Sequence, residues 1–412
     1  MSTIAKESSR KAVWLDCDPG HDDAIAILLA FYGGKEDETK SLDVLGISTT
    51  HGNATGLDTY TNAIKLLSAY GIKPNQCKVW RGSDEPILRK GKVDKGIHGN
   101  DGLGGVECLP EMKDEKVQEH IQSTSKGDLD ENGIPFANPL GLIQHQISIL
   151  EERRRKGLSP ISLIATGPLT NIALLIKLCP GNGSLLMETI EQIVIMGGSA
   201  GMSGNRSPLA EWNINVDPEA ASIVFDSKLK VVMAGLNVTH QAILTPSLHD
   251  SLLNKNITTS SSSTVSPIRK LVSSAITFFA ETYSTEFGFI NGPPIHDVLT
   301  VAYVLDPTLF FSLEPRFNTP QLMMMENIQS HHHHHPKKVP SKRFRVKIDT
   351  SPSDTTAGTT IVDFYQQWPI EHEGWHAGGR NAIVLEYVDT QRLWKLLFEA
   401  VDRAEKVLSE SR

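Results

Sequence analysis

Four carboxylates stand within eight residues of this chain, in Asp16-Cys17-Asp18-Pro19-Gly20-His21-Asp22-Asp23. In a shared pocket such like charges repel strongly and cannot all ionise without a cation. Oxygen-only ligands select a hard divalent metal, Ca²⁺ or Mg²⁺, over zinc. Asp22 and Asp23 also open a helix, where the N-terminal dipole favours negative charge. Capping alone needs one aspartate, not four. Downstream, Pro293-Pro294-Ile295-His296-Asp297 precedes the apolar helix Val298–Leu305. A metal cluster at residues 16–23 needs further oxygen ligands, and a histidine beside it suits acid catalysis. A third stretch, Asn205 to Glu219, is dense in amides and acids. There Glu211 and Asn213 can hydrogen-bond several sugar hydroxyls, and Trp212 can stack on a ring. Asp217 in the same stretch reads as a helix cap.

These residues need a frame, and the hydrophobic pattern supplies one. Short apolar runs at Val13–Leu15, Val44–Ile47, Ile161–Ala165, Ile193–Met196 and Val231–Ala234 read as buried parallel strands. Helical patterns at Asp22–Phe31, Asp58–Tyr70, Leu140–Arg155, Leu169–Leu178 and Asp217–Phe225 alternate with them. The fold class is therefore α/β: a doubly wound, mostly parallel sheet with helices on both faces. Each strand runs directly into polar or glycine-rich sequence: Asp16–Asp23, His51-Gly52-Asn53, Thr166–Asn171, Gly197-Gly198 and Asn237–His240. Ligands of open α/β sheets bind outside the carboxyl ends of the strands, so five strand ends converge on one polar site. A single domain is expected over residues 12–408, after a flexible N-terminus at 1–11. Polar surface insertions are expected at about 107–138 and 312–382, the second partly disordered. The run His331–His335 reads as low-complexity loop and Ser260–Ser263 as a flexible connector, while the last helix, Thr390–Leu408, packs back on the sheet.

Composition narrows the class further. With 412 residues, 39% of them hydrophobic and 21% charged, the chain has ample material for a core, which excludes wholesale disorder. Its net charge of −8 gives no electrostatic reason to seek nucleic acid or anionic membranes. No apolar run reaches the roughly 18 residues of a spanning helix, and the N-terminus lacks the apolar core of a signal peptide. A cytoplasmic location is expected, and the N-x-S/T triplets at Asn53, Asn205 and Asn237 carry no glycosylation message. Cys17, Cys77, Cys108 and Cys179 are dispersed, which argues against zinc and against a disulfide scaffold.

Taken in order, these motifs resemble the inosine–uridine nucleoside hydrolases, most closely a fungal uridine nucleosidase-like branch. The resemblance is carried by Asp16–Asp23, Ile97–Gly102, Ala165–Asn171, Met196–Gly198, Glu211–Asn213 and Gly292–Asp297. It covers about residues 12 to 306 and resumes weakly in the final helix. It implies cleavage of the N-glycosidic bond of ribonucleosides, with Ca²⁺ held by Asp18, Asp23, the carbonyl of Thr166 and Asp297. Asp18 would also act as general base on the attacking water, and His296 would protonate the leaving base. Asp22, Asn53, Asn205, Glu211 and Asn213 would grip the ribose, with Trp212 beside the ligand, His98 at the site and Tyr283 facing the base. A homodimer or homotetramer is implied. Val298 replaces the usual proline after His-Asp, and Phe279 lacks a hydroxyl where a base-facing one would bear on purine contacts. Two rival classes are weaker. An aspartyl-phosphate phosphohydrolase using Mg²⁺ needs a Thr or Val after its nucleophilic aspartate and a lysine at a strand end, but Pro19-Gly20 follows Asp18. A non-catalytic nucleoside binder would have lost a ligand or the acid.

Overall fold

A computed structural model describes residues 10–34, 41–124, 129–181, 183–254, 265–314, 337–353, 355–368 and 380–410. The five expected strands are present, β4 Ile161–Ala165 and β6 Val231–Ala234 with the bounds of their apolar runs, and β1 Lys11–Cys17, β2 Leu42–Thr49 and β5 Ile190–Met196 extending beyond theirs. Between β2 and β4 lies the short β3, Val79–Arg81. After β6 come β7 Phe310–Glu314, β8 Lys337–Pro340, β9 Arg343–Ile348, β10 Thr360–Asp363, β11 Ala382–Val384 and β12 Tyr387–Val388. Among the described residues the main sheet has nine strands in the order β10-β9-β11-β6-β5-β4-β1-β2-β3. From β11 to β3 all pairings are parallel, whereas β9 pairs antiparallel with both β11 and β10. A separate three-stranded sheet joins β12, β7 and β8.

Alternation along β1 sorts its side chains onto two faces, as a pleated strand must. Val13, Leu15 and Cys17 join a core with helices His21–Tyr32, Gly56–Ala69, Pro267–Phe287, Val298–Leu305 and Thr390–Glu410. Ala12 and Trp14 join the opposite core with helices Pro139–Lys156, Thr170–Leu178 and Pro218–Phe225. Helix His21–Tyr32 is buried on every side except at Phe31, because Ala24–Ala30 is wholly apolar. The final helix instead buries one stripe, Leu393, Trp394, Leu397, Ala400, Val401 and Ala404. It is also clamped to helix Pro267–Phe287 by buried Arg269, which meets Asp402 at 2.6 Å and Glu405 at 3.0 Å. No helix among the described residues is long and apolar enough to cross a membrane.

Three expectations change. Lys11 already belongs to β1, so the strand starts before residue 12. The 107–138 stretch carries a helix, Glu115–Thr124, whose Val117, His120 and Ile121 are buried. The 312–382 stretch is not merely an irregular surface insertion: β9 within it buries Phe344, Val346 and Ile348 in the core. Those residues alternate with Arg343, Arg345 and Lys347, a strand pattern hidden by the surrounding Pro, Ser and Thr. His331–His335 and Ser260–Ser263 lie outside the described residues.

The β1–β2 register shifts between Val13 and Trp14, so that Trp14 faces Gly46. A Cβ at Gly46 would sit 2.6 Å from the Trp14 ring. Gly46→Val should therefore destabilise the fold by about 1–3 kcal/mol through overpacking, read as a lower denaturation midpoint.

Candidate active site

The strand order reverses between β1 and β4, and in doubly wound sheets the ligand crevice opens at such a switch point. Beyond β1 the chain turns through Asp18-Pro19-Gly20 into helix His21–Tyr32. Gly20 is required there, because a Cβ would fall 2.5 Å from His98 Nδ1 and 2.8 Å from Asn53 Nδ2. The Gly20 N–H donates to Asp23 Oδ2 (2.9 Å), closing the turn onto the helix that it starts.

Asp22, Asp23 and Asp297 bring carboxylate oxygens within 4.8 Å of one another, all buried. Asp23 is the most completely bonded. It accepts from Thr166 Oγ1 at 2.6 Å, from Asn53 Nδ2 at 3.1 Å and from Gly20. Asp18 lies alongside, where its Oδ2 accepts the Asn53 N–H (2.8 Å) and its buried Oδ1 has no partner. That carboxylate is wedged between Gly52 and Gly167, whose Cβ atoms would approach it to 2.1 and 2.6 Å. Burial, reinforced by Asp23, pushes Asp22 up to about 7. Burial likewise holds Asp18, Asp23 and Asp297 above the usual carboxylate range, and neighbouring acids add to the effect at Asp18 and Asp297. An orphaned buried oxygen beside clustered carboxylates is a donor set that fits a hard divalent cation. The carbonyl of Thr166 accepts from Asn213 Nδ2 (2.7 Å), which leaves it a second lone pair for such an ion. Asp16 does not join the group. Its Oδ1 is taken by Ser48 and by Asn171 Nδ2 (2.9 Å), so the four acids of the motif divide into a site and a brace beneath it.

One cleft is lined by every residue expected to meet substrate: Asp22, Asn53, His98, Asn205, Glu211, Trp212, Asn213 and Tyr283. Thr166, His296 and Asp297 line it too, while Asp18 and Asp23 are buried behind it. His296 is strung between two hydroxyls, with Nε2 2.8 Å from Tyr283 Oη and Nδ1 2.8 Å from Thr239 Oγ1. Burial pushes His296 well below the ordinary imidazole range and Tyr283 well above the ordinary phenol range. His98 is held by His21, with Nδ1 atoms 3.2 Å apart, and His21 Nε2 meets the Gly104 carbonyl at 2.9 Å.

The loop that leads into helix Trp212–Val216 is organised by its own caps. Glu211 is the N-cap of helix Trp212–Val216 and accepts the N–H groups of Asn213, Ile214 and Gly198 at 2.9–3.1 Å. Burial nevertheless pushes its carboxyl up to about 7. The Trp212 N–H donates to Asn205 Oδ1 (2.9 Å), and the Trp212 indole N–H has no partner. Asp217 caps the next helix, as expected, through Ala220 (3.0 Å). Sequence reasoning missed three residues. Thr239 lies in the flagged Asn237–His240 segment, where a string of polar residues does not reveal which one meets His296. Asp94 and Arg206 form an ion pair of 2.6 Å on the cleft wall, 112 positions apart in the chain, which no local pattern could announce.

Comparison with known proteins agrees with this arrangement. Residues 13–395 match the model of the inosine-uridine preferring nucleoside hydrolases. The pyrimidine-specific ribonucleoside hydrolase RihA of Citrobacter koseri is 36% identical over 302 residues, 73% of this chain and 81% of that protein. The Escherichia coli K12 protein of the same name is 36% identical over 303 residues, 73% of this chain and 82% of its own. A purine-preferring ribonucleoside hydrolase from Gardnerella vaginalis shares the fold, with TM-score 0.68 at 24% identity, covering 96% of this chain and all 100% of that one. The plant nucleoside hydrolase PpNRh1 superposes with TM-score 0.67 at 25% identity over 95% of this chain and 98% of its own. Fold and site together define a hydrolase of ribonucleosides. The chain belongs to the inosine-uridine preferring nucleoside hydrolase family.

The buried acids set a pH dependence. The folded carboxyl of Asp22 holds its proton up to about 7 against an ordinary 3.8, so its contribution to stability is complete below 3.8 and lost as pH rises through 7. Cation-free protein should therefore melt at progressively lower temperature from pH 4 to 7. A divalent cation at 100 times its Kd should restore about 2.7 kcal/mol at neutral pH. Calorimetry with and without chelator checks this, and Asp297→Asn should abolish most of the increment.

Proposed function

We propose that the chain uses Ca²⁺ to hydrolyse uridine- and inosine-class ribonucleosides to free base and ribose, with Asp18 as general base and His296 as acid. The observation that carries this reading is one cleft lined by both an acidic cluster and an imidazole–phenol pair. Asp22 and Asp297 line it together with His296 and Tyr283, whose side chains meet at 2.8 Å. Asp18, Asp23, Asp297 and the Thr166 carbonyl would hold the ion, which supplies Lewis acidity and a nucleophilic water at neutral pH. Asp22 lines the cleft beside Asp297 and would meet ribose hydroxyls together with Asn53, Asn205, Glu211 and Asn213.

Cleavage builds positive charge on the ribosyl ring and negative charge on the departing base. Carboxylates preorganised beside the sugar favour the first of these charges. Asp18, through its unpartnered Oδ1, accepts a proton from the attacking water. His296 would give a proton to the departing base and regain one from solvent after turnover, with Tyr283 Oη hydrogen-bonded to its Nε2. Thr239 fixes the ring orientation from behind. Pyrimidine specificity in the 36%-identical relatives supports uridine as the first substrate to try.

A chromatographic panel of uridine, inosine, cytidine and adenosine, scoring free base, tests the reading, with 2′-deoxyuridine expected to react far more slowly. The two halves of the mechanism separate on leaving groups. p-Nitrophenyl riboside releases an acidic phenol that needs no proton. His296→Ala should thus slow uridine hydrolysis about 10²–10⁴-fold and leave the phenyl riboside nearly untouched. Asp18→Ala should damage both alike. Equal loss of both activities in the His296 variant would assign the histidine a structural role instead.

A further inference from the structure

We infer that the β9–β10 hairpin, inside the 312–382 insertion, is a positioning element for the ribose-gripping loop. This rests on the assignment of Asn205, Glu211 and Asn213 to the sugar. The hairpin turn reaches back from the sheet edge and docks on the segment Ala210–Asn215. Ala210 pairs with Thr359 in an antiparallel bridge. Asn215 Nδ2 donates to the Ala357 carbonyl (3.1 Å), and Asn215 Oδ1 accepts from Lys92 Nζ (3.0 Å). One amide thus ties the sugar loop to the hairpin on one side and to the loop before His98 on the other.

Backbone approach at this contact is close. Gly358 has φ +83, and a Cβ there would lie 2.9 Å from Asn215 Cα and 3.1 Å from its N. Thr360 crowds Gly198, where a Cβ would lie 2.9 Å from the Thr360 Oγ1, and the Gly198 N–H donates to Glu211. The turn itself is rigidly tied. Gly358 N–H donates to the Asp349 carbonyl (2.7 Å), Asp349 N–H to that of Thr359 (3.0 Å), and Ser351 Oγ meets Thr356 Oγ1 at 2.8 Å. Arg89 fastens it from outside, holding Glu219 at 2.8 Å and the Ser351 carbonyl at 3.0 Å. By contrast, residues 201–209 of the sugar loop are largely exposed, so the hairpin is the solid surface against which the Glu211–Asn213 end is set. None of the hairpin residues lines the cleft, and they act through Asn215 and Ala210.

The experiment uses full-length Asn215→Asp, which keeps the side-chain size but removes the donor to Ala357, together with Gly358→Val. Gly133→Ala, also at positive φ but with open space around it, is the control. Inhibition constants for ribose and for uracil are measured alongside uridine kinetics and melting temperature. The inference expects the ribose constant and the uridine KM to rise at least about tenfold in both test variants, a loss of one good hydrogen bond's worth of binding. The uracil constant should stay within about twofold, because the base side is untouched. An unchanged ribose constant in Asn215→Asp would overturn the inference, and so would equal weakening of ribose and uracil. Should Gly358→Val fail to fold, Asn215→Asp decides alone. Wild-type protein that neither binds ribose nor cleaves uridine would instead remove the underlying functional reading.

Discussion

The structure is organised around burying several carboxylates together. Asp18, Asp22, Asp23 and Asp297 come from two distant segments, and the doubly wound topology delivers them to one point beyond the strand ends. Their mutual repulsion in a low-dielectric setting opposes folding, so the surroundings are built to tolerate it. Thr166, Asn53 and the Gly20 N–H donate to Asp23, and glycines stand wherever a methyl would press on Asp18. Two well-packed cores, one on each face of the sheet, supply the rigidity that keeps these groups from relaxing apart.

The same cleft also holds His296 and Tyr283, both buried, with the imidazole nitrogens satisfied by the hydroxyls of Tyr283 and Thr239. A glycosidic bond breaks with charge separating along its axis, and a cleft that offers both carboxylates and an imidazole–phenol pair suits the proposed reaction.

The motif-bearing strand ends were legible because short, two-sided apolar runs and the polar residues that follow them are local signals. Helix His21–Tyr32 and strands β4 and β6 stand where periodicity put them. Many of the residues that line the cleft stand just beyond a strand or helix end, whereas Asn205, His98 and Tyr283 came from the family resemblance. What escaped depends on contacts between remote segments. Thr239 matters only because His296 packs on it, and Asp94 only because Arg206 reaches it. β9 was masked by its neighbours' composition, although its own alternation is clear. Asp16 shows the opposite error: nearness in sequence suggested a shared site, but Asp16 still belongs to β1, where Ser48 and Asn171 take its Oδ1.

The Arg269 clamp to Asp402 and Glu405 has a consequence for how the protein comes into being. The helix that presents Tyr283 to the cleft is fastened to the last helix of the described chain, more than a hundred residues later in the order of synthesis. While the ribosome is still making that last helix, Arg269 lacks its carboxylate partners and the surface that Leu393, Leu397 and Val401 cover is bare. Until that helix is in place, the helix that carries Tyr283 has neither its ion pairs nor its apolar cover.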